Sequence, residues 1–128
     1  TTLPFQIFGA PGLKGGNFPF TPISIKGVAE NPPCLNQKCQ GFNLTEIAAE
    51  HLDGENHFEI KYLITAYSMY PDKTKFFTSE KTFDQLAGSD QLRMQIIAGA
   101  TPADIKASWQ KDLIKFKNIR KKYLLYSE

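Results

Sequence analysis

The segment from Thr101 to Tyr126 constrains the fold of this chain most, because it carries a helix start, an apolar stripe and a basic end. Thr101 can accept a hydrogen bond from the backbone N–H of Asp104, whose carboxylate can bond back, and Pro102 occupies the first helical position. Five apolar residues then recur at spacings of four, four, three and three: Ile105, Trp109, Leu113, Phe116 and Ile119. This spacing predicts a long amphipathic helix with these five side chains on one face.

The opposite face of this helix is basic and carries Lys106, Lys111, Lys115, Lys117 and Lys122. Cations interleaved with aromatic rings could contact a nucleic acid. However, Phe116 belongs to the apolar stripe, and cations near a helix C-terminus interact favourably with the helix dipole. The net charge of +2 is also too small to indicate a polyanion partner. We therefore expect a solvated basic end and no nucleic-acid partner.

Further helices are predicted upstream. Asn56 followed by Glu59 is a helix-start pattern, and the apolar stripe that follows it runs until Pro71 ends the helix. Another helix is predicted to begin near Ser89 and to end at Gly99, a favourable left-handed cap residue. The stretch KTFDQLAG between these two helices is interpreted as a helical turn of its own.

The first third of the chain is rich in Gly and Pro and predicts short strands near Phe5 to Phe8, Ile23 to Val28 and Gly41 to Ile47. The segment FPFTP, from Phe18 to Pro22, is interpreted as a turn. The chain has 128 residues, 41% of them hydrophobic, and neither a repeat nor a long linker divides it. These features predict one α+β domain over residues 1–128. This domain is expected to have a small mixed sheet of short strands in its first half, packed by about three helices, the last of which is long and amphipathic.

No apolar run approaches the roughly 20 residues that span a bilayer, so we expect no membrane span. The first residues, TTLPFQIFGAP, lack the charged start and long apolar core of a signal peptide. A strand-like segment begins within a few residues of Thr1. We therefore expect the full protein to be longer than this chain.

Metal and nucleotide chemistry have little support in the sequence. Cys34 and Cys39 could close a small disulfide in an oxidising compartment, but the spacing leaves the bonded and the free state equally open. A zinc site needs about four ligands, and the spacing of His51 and His57 does not form a zinc-binding motif with the two cysteines. Phosphate-binding and dinucleotide-binding glycine patterns are missing as well. We expect no metal and no cofactor.

Glycoside hydrolysis usually needs two carboxylates, and acidic residues at comparable spacings are more often a solvated surface. His57, near two glutamates, falls in the first turn of a predicted helix, where its ring would be exposed. We therefore assign no catalytic residue. The pairs considered are Glu46 with Glu50, Asp53 with Glu55, and Asp84 with Asp90.

The order of the motifs is more specific than any one of them. PFQIFGAP is followed by FTP, then CQGFNL, then a helix ending in YP, and last the run from FDQLAGSDQL to KKYLLY. This order resembles the C-terminal region of the exo-beta-N-acetylmuramidase family, bacterial glycoside hydrolases of peptidoglycan turnover formerly known only as a domain of unknown function. The resemblance covers most of the chain and is strongest from Phe83 to Tyr126. One departure is the connection from Gly12 to Pro19, where the family usually has a longer, partly helical insertion.

The resemblance implies a two-part enzyme in which a Rossmann-like N-terminal domain holds the catalytic machinery and a smaller C-terminal domain closes one side of the cleft. By this resemblance the chain is the second part, an accessory domain of an exported, periplasmic or secreted, hydrolase. The implied substrate is the non-reducing-end N-acetylmuramic acid of peptidoglycan fragments. We predict substrate-facing residues at Gly9, Ala10, Pro11, Phe18 and Phe20. The alternative is a noncatalytic module that binds glycan or protein.

Overall fold

The computed structural model describes residues 3–45 and 59–126 and divides into two compact units, Thr1–Phe77 and Thr78–Glu128. The predicted α+β class is confirmed. Within the described residues, three short strands precede four α-helices, and the last helix is the longest. The strands are β1 (Ile7–Ala10), β2 (Phe18–Phe20) and β3 (Cys39–Asn43), and the helices are α1 (Lys61–Met69), α2 (Glu80–Ala87), α3 (Gln91–Ile97) and α4 (Pro102–Arg120).

The sheet of the first unit has the order β1-β3-β2, so β3 lies in the centre. Both pairings are antiparallel, whereas the prediction was a mixed sheet. Gly41 of β3 faces Gly9 on one side and Phe18 on the other. The register therefore brings the segments around Gly9 and Phe18 together across one central strand.

Glycine allows the backbone segments of this sheet to approach closely. A Cβ atom added at Gly41 would lie 2.8 Å from the Cα of Gly9, and one added at Gly9 would lie 2.8 Å from the ring of Phe20. A Cβ at Gly16 would lie 2.8 Å from the backbone nitrogen of Gly41. These distances are shorter than real side chains tolerate, so the three positions require glycine for close approach.

The strand predictions were partly wrong. β1 begins at Ile7, because Phe5 has a φ of 62° and an exposed ring. The predicted strand from Ile23 to Val28 is absent, and only an isolated bridge joins Ile25 to Ala29 around a turn. β2 was not predicted, because its proline indicated a turn; β2 lies at the sheet edge, where proline is tolerated.

The third predicted strand, Gly41 to Ile47, overlaps β3, which begins earlier and ends at Asn43. The residues of this prediction from Glu46 onwards lie outside the described part of the chain. Leu44 follows the strand, and its backbone N–H donates to the carbonyl oxygen of Gln6 at 2.8 Å. The shift shows that pairing with β1 and β2, rather than local alternation, sets the bounds of the central strand.

Aromatic rings connect the elements of the first unit. The ring of Phe8 on β1 stacks on Phe42 of β3 at 5.1 Å and contacts Tyr62 of α1 at 5.9 Å between centroids.

Helix α1 ends at Met69, before Pro71, as predicted. It begins at Lys61, later than the predicted start at Asn56, which lies outside the described residues. Ile60, which precedes α1, is 1% exposed.

Local signals define the helix ends in the second unit. Ser79 caps α2, and Gly88 and Gly99 adopt left-handed conformations, with φ of 85° and 77°, after α2 and α3. Thr101 and Asp104 form the predicted capping box at the start of α4, with Pro102 at the first position. The predicted helix from Ser89 to Gly99 is confirmed as α3, and KTFDQLAG forms most of α2.

Candidate functional site

The candidate site is a pocket of about 380 Å³ at the edge of the sheet. It lies where β2 and β3 pair, with Phe20 opposite Cys39 and Pro19 opposite Gln40. Its lining residues include an aromatic residue, a hydroxyl residue, a lysine and an amide residue, a mixture found in small-molecule sites. The lining residues are Gly12, Pro19, Phe20, Thr21, Lys38, Cys39 and Gln40.

The five residues predicted to face substrate lie on or next to the paired strands. Phe20 lines the pocket, and its ring lies against the backbone of Gly9. Ala10 is paired with Gln40, a lining residue, and Phe18 is paired with Gly41. Pro11 follows β1 and directly precedes Gly12 of the lining. The structure thus gathers the predicted segments around one pocket, whereas only Phe20 among the five contributes to its lining.

The connection from β1 to β2 is held at several points, although it is rich in glycine. The side chain of Leu13 is 5% exposed, and the backbone N–H of Lys14 donates to the carbonyl oxygen of Met69 at 3.3 Å. The amide Nε2 of Gln40 donates to the carbonyl oxygen of Gly16 at 2.6 Å. Because Gln40 also lines the pocket, this hydrogen bond fixes the connection beside the pocket.

Cys39 is the buried lining residue, at 3% exposed. Its thiol donates to the carbonyl oxygen of Gln37 at 3.6 Å. Burial raises the pKa of Cys39, and the neighbouring Cys34 raises it further by charge repulsion and a hydrogen bond. A thiol whose pKa is raised stays protonated at neutral pH and is a poor nucleophile. Both cysteines, for which the sequence left the bonded and the free state equally open, are free thiols in the structure.

Of the carboxylates considered for acid–base catalysis, the structure describes Asp84 and Asp90, both in the second unit. Asp84 accepts two hydrogen bonds from the guanidinium of Arg93, each 2.8 Å long. These bonds lower the pKa of Asp84, which therefore remains ionised and joins α2 to α3. Glu80 lies 3.4 Å from the same guanidinium. The other candidate pairs, from Glu46 to Glu55, and His57 lie outside the described residues.

The pocket lining that the structure describes includes no carboxylic acid. Within residues 3–45 and 59–126, no three His, Cys, Asp or Glu side chains come close enough to hold a metal ion. None of the described helices is both long and apolar enough to cross a membrane. The groups at the pocket are suited to binding and orienting a ligand.

Sequence reasoning missed the polar residues of the pocket, Thr21, Lys38 and Gln40. Their proximity depends on the pairing of β2 with β3, and β2 had been interpreted as a turn. The available signal was Gln40 itself, which stands between a buried cysteine and the close-packed Gly41. Because side chains alternate between the two faces of a strand, a polar side chain at that point indicates the less buried face of the sheet.

Comparison with known proteins agrees with the fold and with the order of the motifs. The family model described as "Exo-beta-N-acetylmuramidase NamZ, C-terminal" matches residues 1–126. The peptidoglycan beta-N-acetylmuramidase NamZ of Bacillus subtilis (strain 168) is 30% identical over 141 residues, which cover 98% of this chain and 32% of that protein. The crystal structure of a DUF1343 family protein from Bacteroides fragilis NCTC 9343 matches with a TM-score of 0.82 and 41% identity, covering 100% of this chain and 35% of that one.

The chain therefore spans about a third of the length of these relatives. Its match to the family model is nearly complete, from the segment before β1 to Tyr126. The predicted resemblance is confirmed: the chain belongs to the C-terminal family of the NamZ exo-beta-N-acetylmuramidases.

Proposed function

We propose that this chain is the accessory domain of an exported hydrolase that removes N-acetylmuramic acid from the non-reducing ends of peptidoglycan fragments. In this proposal a preceding Rossmann-like domain supplies the catalytic groups, and the pocket at Phe20 forms part of one cleft wall. The main support for this proposal is the pocket, which combines an aromatic ring with Lys38 and Gln40 in a chain of this family. The family relation to a muramidase supports the substrate class.

The lining chemistry fits a muramic-acid residue. The face of a sugar ring is apolar and can lie on the ring of Phe20, while its hydroxyl and acetamido groups can bond to Gln40 and Thr21. Muramic acid differs from glucosamine by a lactyl carboxylate, which is ionised at neutral pH. The ammonium group of Lys38 is the charged partner that this pocket offers to such a carboxylate.

The test uses the full-length protein that contains this chain and a chromogenic N-acetylmuramic acid glycoside. Lys38→Gln is expected to raise KM roughly fivefold with little change in kcat, because an exposed ion pair contributes at most about 1 kcal/mol of uniform binding. Phe20→Leu, which preserves apolar volume but removes the flat ring, is expected to raise KM as well. Lys26→Gln, an exposed lysine outside the pocket lining, is the matched control.

Unchanged KM values for both pocket variants would overturn the assignment of the cleft wall. The alternative function, a self-sufficient binding module, is favoured by a pocket whose described lining has binding groups and no carboxylic acid. It predicts that the 128-residue chain alone binds soluble peptidoglycan fragments, with affinity reduced by Phe20→Leu. Calorimetric titration of the chain with such fragments distinguishes the two functions, because an accessory wall alone is expected to show little binding.

A further inference from the structure

The apolar stripe of α4 is buried only at its beginning. Ile105 is fully buried and Trp109 is partly buried, as expected for a helix that packs on its own domain. Further along the same face, Leu113 is 43%, Phe116 60% and Ile119 48% exposed. These spacings of three and four keep the residues on one helical face. The stripe therefore continues along α4 but passes from buried to exposed.

The exposed apolar surface continues beyond the helix. Tyr123, Leu125 and Tyr126, in the segment after α4, are 77%, 91% and 85% exposed. Soluble proteins rarely expose a large contiguous apolar patch, and such patches mark interaction surfaces. Aromatic residues are enriched in the centres of protein interfaces, whereas lysine is depleted there and is common at the rim. We call Leu113, Phe116, Ile119 and Tyr123 the α4 stripe.

One candidate partner for the α4 stripe belongs to the same full-length protein. The chain covers 32% and 35% of the two relatives, and the family model describes a C-terminal region. Most of a full-length protein of this type therefore precedes the segment equivalent to this chain. A lipid surface would also accept a basic amphipathic helix, but it would not account for that large upstream region.

We infer that the α4 stripe is a docking surface for the polypeptide that precedes Thr1 in the full-length protein. The inference rests on the proposed role of this chain as one part of a longer enzyme. Lys115 and Lys117, which were predicted on the opposite face of α4, are exposed and lie four residues from Ile119 and Leu113, so they flank the stripe as a basic rim. The partner surface is accordingly apolar in its centre and acidic at its edge.

The experiment places the photocrosslinking residue p-benzoylphenylalanine at position 116 of the full-length protein, in place of Phe116. The matched control carries the same residue in place of Asn118, which is exposed on the opposite face of α4. After irradiation, crosslinked peptides are identified by mass spectrometry. Position 116 is expected to crosslink mainly to residues that precede Thr1, and several-fold more than position 118.

Crosslinks from position 116 to residues within this chain, to a second copy or to no protein at all would overturn the inference. Phe116-dependent sedimentation of the full-length protein with vesicles of phosphatidylglycerol and phosphatidylcholine would also overturn it in favour of a lipid surface. The measurement needs no catalytic activity. Upstream crosslinks in a protein that cleaves no muramic-acid glycoside would therefore refute the proposed function and leave the docking surface standing.

Discussion

At the scale of single residues, the sheet depends on the absence of side-chain atoms where its segments meet. Gly41 lies between Gly9 and Phe18 in the register, and the connection at Gly16 approaches the same point. The ring of Phe20 occupies the space over Gly9. The wall of the candidate pocket is therefore determined by glycines that take no part in its lining.

Gly41→Ala is expected to destabilise the protein by about 1–3 kcal/mol or more, because the added methyl group meets backbone atoms, which cannot move aside as a flexible side chain can. The midpoint of urea denaturation measures the loss. Gly27→Asn is the control, since a Cβ at Gly27 meets nothing within 4 Å and asparagine tolerates its φ of 75°. Equal losses for the two variants would refute the close-approach argument.

The Asp84–Arg93 ion pair predicts a pH-dependent contribution to stability. The hydrogen bonds from Arg93 lower the pKa of Asp84, so the pair stabilises the fold fully above the ordinary aspartate pKa of about 3.9. The contribution is lost as the pH falls through the lowered pKa. We expect Asp84→Asn to reduce Tm at neutral pH and to differ progressively less from the unsubstituted chain below about pH 4.

Thermal unfolding of both proteins between neutral and strongly acidic pH checks this prediction. Arg93→Lys serves as a companion variant, because lysine keeps the charge but cannot donate both bonds in the planar geometry of the guanidinium. It is expected to lower Tm at neutral pH. If the Tm difference between Asp84→Asn and the unsubstituted chain stayed constant down to acidic pH, the ion pair with Arg93 would not be its cause.

At the scale of elements, helix α4 combines a buried start with an exposed end. Ile105→Ala is expected to cost about 2–5 kcal/mol, the range for truncating a fully buried isoleucine. Ile114, on the opposite face and 59% exposed, offers the same substitution as a control. Ile114→Ala is expected to change the free energy of unfolding by less than about 0.5 kcal/mol. Chemical denaturation measures the free energy of unfolding of both variants. Similar losses for the two would contradict the assigned faces of α4.

The same element shows how much could be predicted from sequence. Its start depends on Thr101, Pro102 and Asp104, which are neighbours in the chain, so local reasoning found it. The glycine caps of α2 and α3 are local in the same sense. The length of the buried stripe was not predictable, because spacing identifies a face but not what covers it. The apolar spacing therefore identified the face but not how much of it is buried.

Strands and the pocket were less predictable for a related reason. The bounds of β1 and β3 follow from their mutual register, and β2 exists because β3 offers it an edge. Pairing across the chain is invisible to a local pattern, so the sequence around Ile25 was taken for a strand and that around Phe18 for a turn. The predicted segments at Gly9 and Phe20 came from the family resemblance, while Lys38 and Gln40 required the structure.

At the scale of the whole molecule, the chain corresponds to about a third of its relatives and belongs to the C-terminal family of a muramidase. The described lining of its pocket contains an aromatic residue, a lysine and a glutamine but no carboxylic acid. The exposed α4 stripe is the proposed docking surface for the polypeptide that precedes this chain. In the proposed function, this chain contributes substrate binding and domain contact, and the preceding part contributes bond cleavage.

The most direct test measures the release of N-acetylmuramic acid from a non-reducing-end chromogenic glycoside by the full-length protein and by the 128-residue chain, side by side at equal concentration. We predict that the full-length protein releases the sugar and that the chain alone releases none above the buffer blank. Release by the isolated chain at a rate comparable with that of the full-length protein would contradict the account.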